Sequence, residues 1–121
     1  MAKKILVVED EPEVVELERA ILTGAGYTVD VAQRGSEALD KLSTTEYEAV
    51  VLDLIMPGMD GYETARRMRQ LDRNRKTPVV MVTGSGEPDA MRRGFDMGAV
   101  VFLRKPFTAE ALRSAVRSVV R

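Results

Sequence analysis

The chain has 121 residues, 45% of them hydrophobic, which suits a single domain with its own core. It contains neither cysteine nor histidine, which excludes disulfide bonds, thiolate zinc sites, cysteine nucleophiles and imidazole as a base, metal ligand or phosphoryl carrier. The net charge of −1 argues against binding to nucleic acid by bulk charge. No apolar run approaches the roughly 20 residues of a membrane span, which favours the cytoplasm.

The two halves of the chain carry opposite charges. Residues 1–60 hold 5 basic and 13 acidic side chains, whereas residues 61–121 hold 13 basic and 6 acidic ones. This split is consistent with an acidic site built by the first half and a basic surface built by the second. Ordinary solvated helix surfaces explain it equally well, so the charge pattern alone does not decide between the two interpretations.

Short apolar runs alternate with amphipathic stretches along the chain, which predicts five β-strands and five α-helices. The predicted strands lie at residues 5–8, 27–31, 49–52, 79–82 and 99–103, and the predicted helices at 12–23, 36–42, 60–71, 88–98 and 108–119. Four strands are continuous apolar runs, as in a parallel sheet covered on both faces, and the second alternates like an edge strand. The predicted fold is α/β: one domain over residues 1–121 with a doubly wound, five-stranded parallel sheet.

Residues that favour helix starts precede several of the predicted helices. Pro12 suits a first helical position, Ser36 and Thr108 suit N-caps, and Asp60 with Glu63 forms a capping-box pattern. In the first helix, apolar side chains at helical spacing predict the face that turns to the core. The residues of this face are Val14, Val15, Leu17, Ile21 and Leu22.

Polar residues stand where four of the predicted strands end. They are Glu9, Asp10 and Glu11 after the first strand, Asp53 after the third, Thr83 after the fourth and Lys105 after the fifth. Since ligands of open parallel sheets bind beyond the carboxyl ends of the strands, we expect these side chains at one edge. Taken singly, each would be an ordinary cap or turn residue. Together they are the acids, hydroxyl and lysine that phosphoryl chemistry requires.

Four motifs closely resemble those of the response regulator receiver domains, the CheY-like family. They are Val8-Glu9-Asp10-Glu11-Pro12, residues 51–61 (VLDLIMPGMDG), Val82-Thr83-Gly84 and Lys105-Pro106-Phe107. The match covers the whole chain, with five strand–helix units in the expected order. The resemblance implies a flavodoxin-like fold with strand order 2-1-3-4-5. It also implies a stand-alone phosphoacceptor of a two-component or phosphorelay system, which is a signalling domain and not a turnover enzyme.

The resemblance also implies the site. Asp53 would be the phosphoacceptor, forming an aspartyl phosphate with a phosphoryl group taken from a partner's phosphohistidine. Because nucleophile and phosphoryl group are both anionic, a divalent cation, Mg²⁺ or Mn²⁺, would bridge them. Its ligands would be Asp10, Asp53 and the backbone carbonyl of Ile55, with the acid Glu9 close by.

Signalling to a downstream protein would begin at the phosphoryl group itself. Lys105 would pair with its oxygens, and Thr83 would hydrogen-bond it and move toward it. Phe102 would then change rotamer; the less favoured alternative is that it is a plain core residue. The implied partners are a histidine kinase or histidine phosphotransfer protein and a downstream protein, bound at the face of the fourth helix, fifth strand and fifth helix. The basic residues of that face, which suit an acidic or mixed partner surface, are Arg92, Arg93, Arg104, Arg113 and Arg117.

Four positions depart from the family pattern. Glu9 replaces the more usual aspartate, so its carboxylate reaches one methylene further toward the cation. Gly84 replaces a small side chain and would open the site. Ile55 and Ser85 occupy positions that tune loss of the phosphoryl group in the family. Because the apolar Ile55 offers no hydrogen bond to an attacking water, slow self-dephosphorylation is expected.

Two other classes of function remain alternatives. A Mg²⁺-dependent phosphohydrolase could use Asp53, but the second acid expected two residues later is replaced by Ile55. A flavodoxin-like domain could bind a nucleotide or flavin through the loop Thr83-Gly84-Ser85-Gly86. That loop lacks the third glycine of a dinucleotide motif, where Asp89 stands, and no phosphate-loop lysine follows it.

Overall fold

The structure, a computed structural model, describes residues 2–54, 58, 60–84 and 99–120. The strands are β1 (Lys4–Val8), β2 (Thr28–Ala32), β3 (Ala49–Asp53), β4 (Val79–Thr83) and β5 (Ala99–Arg104). The helices are α1 (Pro12–Gly24), α2 (Gly35–Thr44), α3 (Gly61–Met68) and α4 (Ala109–Val119). The described part thus has four helices where the sequence predicts five, because the helix predicted at 88–98 lies outside it. None of the described helices is both long and apolar enough to cross a bilayer.

The five strands form one parallel sheet in the order β2-β1-β3-β4-β5. This order, expected from the family resemblance, is confirmed, and β2 is an edge strand as its alternating sequence predicts. The central pair is β1 and β3, with Val8 opposite Leu52 near their carboxyl ends. The residues that follow these two strands therefore emerge side by side.

The core lies on both faces of the sheet, because successive side chains of a strand point to opposite sides. In β1, Leu6 and Val8 belong to the core on the side of α2 and α3. Ile5 and Val7 belong to the core on the side of α1 and α4. The doubly wound architecture is thereby confirmed for the described helices, two on each face.

The buried face of α1 differs from the predicted one. Its buried residues are Val15, Glu18 and Leu22, whereas Leu17 is 50% exposed. Val15 and Leu22 were predicted correctly, and the placement of Leu17 in the core was wrong. Glu18 lies three residues after Val15 and four residues before Leu22, which places all three on one face of the helix. An acid therefore occupies the position of a core residue.

Two of the predicted N-caps are confirmed and one is wrong. The Asp60 side chain accepts a hydrogen bond from Glu63 N at 2.9 Å, and Thr108 Oγ1 accepts one from Ala111 N at 3.0 Å. Ser36 is not a cap, because α2 begins one residue earlier, at Gly35, with Arg34 at its N-cap. There the Glu37 side chain reaches back to accept a hydrogen bond from Gln33 N at 2.8 Å.

Candidate functional site

Three carboxylates meet at the carboxyl edge of the sheet. Glu9 and Asp10 follow β1 and Asp53 ends β3, and each offers an oxygen within 4.8 Å of the other two. Glu9 is 1% exposed and Asp53 is 4% exposed. Backbone hydrogen bonds hold Glu9 in place, since Glu9 N donates to Ala32 O at 3.0 Å and its Oε2 accepts from Glu11 N at 3.3 Å.

Lys105 brings a positive charge into this acidic cluster from the loop after β5. Its Nζ lies 3.0 Å from Glu9 Oε1, 3.5 Å from Asp53 Oδ2 and 3.6 Å from Glu11 Oε1. Its backbone N donates to Thr83 O at 2.8 Å, which ties the loop to the end of β4. Thr83 itself is 7% exposed. The structure therefore brings Glu9, Asp10, Asp53, Thr83 and Lys105 to one edge, as their places after the strands predict.

Burial and the charges of the site shift the pKa values of Glu9 and Lys105. Burial and the nearby charge of Asp53 raise the pKa of Glu9 to about 7, and the contact with Lys105 opposes this rise. Burial lowers the pKa of Lys105, but its hydrogen bond with Glu9 and the charge of Asp53 outweigh that effect and leave the pKa raised. The lysine therefore stays charged, and the site keeps an excess of carboxylate groups that favours a cation.

Gly61 lets α3 pack directly against the end of β3, a role that our sequence reasoning missed. Its N donates to Leu54 O at 3.0 Å. A Cβ atom at this position would lie 2.5 Å from Asp53 O and 2.8 Å from Leu54 Cα, which backbone atoms cannot accommodate without moving. The available signal was a glycine directly after the N-cap Asp60, at the first position of a helix.

Gly61→Ala is expected to lower the free energy of unfolding by about 1–3 kcal/mol, because the methyl group overpacks the backbone that carries Asp53. Urea denaturation measures this. Gly84→Ala is the matched control, since among the described residues a Cβ there meets only Lys105 Cβ and Cδ, both at an ordinary 3.9 Å. Equal stability of the two variants would contradict the close approach at Gly61.

Glu18 is a second residue that sequence reasoning missed. It lies on the buried face of α1, is 1% exposed, and neither carboxyl oxygen has a hydrogen-bond partner among the described residues. Burial and the charge of Glu9 raise its pKa to about 8, whereas Lys105 acts to lower it. Its spacing from Val15 and Leu22 is the signal that could have revealed it.

Protonation of Glu18 is expected to make the stability of the protein fall as the pH rises. Its pKa is about 8 when folded and about 4.5 when unfolded, so between these values the folded state holds the extra proton. The free energy of unfolding then decreases by up to about 1.4 kcal/mol per pH unit from this group. Glu18→Gln removes that slope, whereas Glu16→Gln, an exposed acid on the same helix, keeps it. Urea denaturation at pH 5, 6.5 and 8 measures the slopes, and identical slopes in both variants would contradict the assignment.

The structure describes only some of the remaining residues that were predicted to act at the site or at the partner surface. Phe102 is half-buried and packs against the core on the side of α2 and α3. Arg104 and Arg117 are exposed, and Arg113 Nη2 pairs with Glu110 Oε2 at 3.1 Å on α4. The other predicted members lie outside the described residues: Ile55, Ser85, Arg92 and Arg93.

Sequence comparison relates the chain to one family. The model of the response regulator receiver domain matches residues 5–117. The transcriptional regulatory protein TcrA of Mycobacterium tuberculosis is 40% identical over 118 residues, which make up 98% of this chain and 46% of TcrA. The chain spans about half the length of the curated relatives it matches.

Solved structures of similar proteins have the same fold. The chemotaxis protein CheY4 of Vibrio cholerae superposes with a TM-score of 0.94 at 31% identity, covering 99% of this chain and 100% of that one. The receiver domain of the sensor histidine kinase PA1611 of Pseudomonas aeruginosa has a TM-score of 0.90 at 26% identity and covers 98% of each chain. In that structure a magnesium ion is coordinated in the active-site cleft.

Proposed function

Because the chain belongs to the family of response regulator receiver domains, we propose that it takes a phosphoryl group from a partner's phosphohistidine onto Asp53. The observation that carries this proposal is the contact of Asp53 with Lys105, 3.5 Å apart, inside a cluster of three carboxylates. The phosphohistidine has to come from a partner, a histidine kinase or a histidine phosphotransfer protein, because this chain has no histidine. We place the reaction in the cytoplasm.

Asp10 and Asp53 would hold a divalent cation, Mg²⁺ or Mn²⁺, with Glu9 close by and the backbone carbonyl of Ile55 as a further ligand. The donor set fits such an ion, because hard cations prefer oxygen ligands and the three carboxylates lie within 4.8 Å of one another. When bound, the cation supplies positive charge between the carboxylates and the phosphoryl oxygens.

Asp53 acts as the nucleophile. One of its oxygens bonds to phosphorus while the bond from phosphorus to the partner's imidazole nitrogen breaks, and the electron pair leaves on that nitrogen. Lys105 turns from Asp53 and Glu9 toward the phosphoryl oxygens, which carry the charge that develops in the transition state. Burial of Asp53 keeps the reacting atoms away from bulk water.

The signal then leaves through Thr83 and Phe102. A phosphoryl group on Asp53 adds about two negative charges, and Thr83, at the end of the adjacent strand, donates its hydroxyl hydrogen to it. This favours the state in which Phe102 changes rotamer within its half-buried position. The surface formed by β5 and α4, together with the predicted helix at 88–98, then binds a downstream protein.

Incubation with acetyl phosphate and Mg²⁺, followed by intact mass measurement, tests the proposal. We expect the mass to rise by one phosphoryl group, and we expect no rise when EDTA removes the cation. Phosphotransfer from a panel of histidine kinases then identifies the donor. A chain that gains no phosphoryl group from any donor would overturn the proposal, and steady turnover of small phosphate esters would make it a phosphohydrolase.

Ile55→Asn is expected to shorten the lifetime of the phosphorylated form several-fold, because an amide can hydrogen-bond the attacking water and the isoleucine cannot. Loss of the added mass with time, measured after removal of the phosphodonor, gives the two lifetimes. Leu17→Asn, at an exposed position of α1, is the matched control and should leave the lifetime unchanged. If Ile55→Asn loses the group no faster than the wild type, the side chain at this position does not set the lifetime.

A further inference from the structure

Glu11 is an exposed acid beside the phosphoacceptor site, and the proposed reaction gives it no role. Its Oε1 lies 3.6 Å from Lys105 Nζ, and its side chain is 64% exposed. The other two acids that pair with Lys105 in the described part of the chain, Glu9 and Asp53, are buried. Glu11 therefore lies at the solvent side of the lysine, and the buried acids lie behind it.

The turn between β1 and α1 holds Glu11 at this place. Glu11 N donates to Glu9 Oε2 at 3.3 Å, and Glu11 O accepts from Val15 N at 3.0 Å, so both of its backbone groups are engaged. An acidic side chain at the start of a helix is usually stabilised by the free amides there. The Glu11 side chain accepts no capping hydrogen bond from α1, and its carboxylate contacts the lysine of the site instead.

The Glu11 carboxylate also lies close to the nucleophile. Both Glu11 and Asp53 contact Lys105 Nζ, at 3.6 Å and 3.5 Å. Glu11 Oε1 and Asp53 Oδ2 are therefore no more than about 7 Å apart, which is shorter than the Debye length of about 8 Å at physiological ionic strength. A charge on Glu11 therefore acts on any group that approaches Asp53.

The surroundings of Glu11 change sign during the proposed reaction. Lys105 turns toward the phosphoryl oxygens, so the Glu11 carboxylate loses its contact with a cation. The donor then brings negative charge to within reach of the same carboxylate. Since the repulsion between two charges scales with each of them, a donor with more negative charge is slowed more.

We propose that Glu11 is a specificity-determining residue that selects phosphoryl donors by their charge. It favours a phosphoryl group attached to a protonated nitrogen over an acyl phosphate, which carries one more negative charge. A partner's phosphohistidine belongs to the favoured class when its imidazole is protonated. The inference rests on the proposed function, because it requires that Asp53 accepts the group.

The two classes of donor react in the same way at Asp53. One of its oxygens bonds to phosphorus while the bond from phosphorus to the leaving nitrogen or oxygen breaks, and the electron pair stays on the leaving atom. Acetyl phosphate then releases acetate, and phosphoramidate releases ammonia. The pair therefore differs in donor charge while the acceptor and the bond formed stay the same.

The initial rate of mass increase of the chain, measured with acetyl phosphate and with phosphoramidate at saturating Mg²⁺, tests the inference. At low salt, Glu11→Gln should react about 4-fold faster than the wild type with acetyl phosphate and about 2-fold faster with phosphoramidate, since each donor charge contributes a similar factor. In 1 M KCl the Debye length falls to about 3 Å, so both gains should disappear. Glu11→Asp keeps the charge and should react much like the wild type.

Glu16→Gln is the matched control. Glu16 is an exposed acid of α1 that pairs with Arg19 at the same distance of 3.6 Å, so the variant loses an equal charge and an equal ion pair. It should react like the wild type with both donors. An acceleration as large as that of Glu11→Gln would assign the effect to the overall charge of the chain and overturn the inference.

The other outcomes separate the inference from the proposed function. Equal gains of Glu11→Gln with the two donors would mean that Glu11 only competes for Lys105, and that result would overturn the selection by charge. A slower Glu11→Gln would also overturn it, because the carboxylate would then support the cation. If the wild type gains no phosphoryl group from either donor, the proposed function fails together with the inference.

Discussion

Asp53→Asn is expected to abolish phosphorylation by acetyl phosphate and Mg²⁺, with at least a 100-fold loss of initial rate, because an amide is no nucleophile for phosphorus. The substitution keeps the size and shape of a side chain that is 4% exposed, so the packing at the end of β3 is retained. It also removes a negative charge that raises the pKa of Glu9, so Glu9 becomes easier to ionise. The loss of phosphorylation is therefore expected to come from the missing nucleophile and not from a failure to fold. Thermal denaturation of the variant checks this.

Asp72→Asn is the matched control for this variant. Asp72 is exposed and lies between α3 and β4, away from the carboxyl edge of the sheet, and the change removes the same charge. We expect it to gain the phosphoryl group at the rate of the wild type. If Asp53→Asn still gained one phosphoryl group while Asp72→Asn did not, the acceptor would have been assigned to the wrong residue.

Lys105→Met is expected to slow phosphorylation about 100-fold. Removing one positioned group that stabilises the charge of a transition state typically lowers the rate by about this factor. Lys105 contacts Glu9 at 3.0 Å and Asp53 at 3.5 Å, so the ammonium is already at the nucleophile before the phosphoryl group arrives. Methionine keeps the length and apolar stem of the side chain and removes only the charge. The initial rate of mass increase with acetyl phosphate at fixed Mg²⁺ measures the effect.

The charge of Lys105 also controls Glu9, which gives a second readout. Since contact with Lys105 lowers the pKa of Glu9 against burial, Lys105→Met should keep Glu9 protonated to a higher pH. Lys76→Met, at an exposed lysine near the opposite end of the sheet, is the control for loss of a positive charge. Equal phosphorylation rates for both lysine variants would show that the ammonium of Lys105 takes no part in the phosphorylation reaction.

How far the site could be predicted depended on where its residues stand in the chain. Asp53, Thr83 and Lys105 each follow an apolar strand, so the rule that parallel strands end at one edge was enough to group them. Gly61 was missed for a different reason. Gly61 matters because the backbone of β3 passes 2.5 Å from where its Cβ would be, and no local pattern encodes that distance.

The sequence by itself determined the strands, the parallel sheet, the helix starts at Pro12, Asp60 and Thr108, and the edge where the polar residues gather. These follow from local periodicity and from the hydrogen-bonding needs of helix ends, which neighbouring residues decide. Only the tertiary structure decided that Lys105 contacts both Glu9 and Asp53, and that Glu18 rather than Leu17 turns inward on α1. Both depend on how elements distant in sequence pack together, and that packing fixes which side chain is buried and which charges lie beside it.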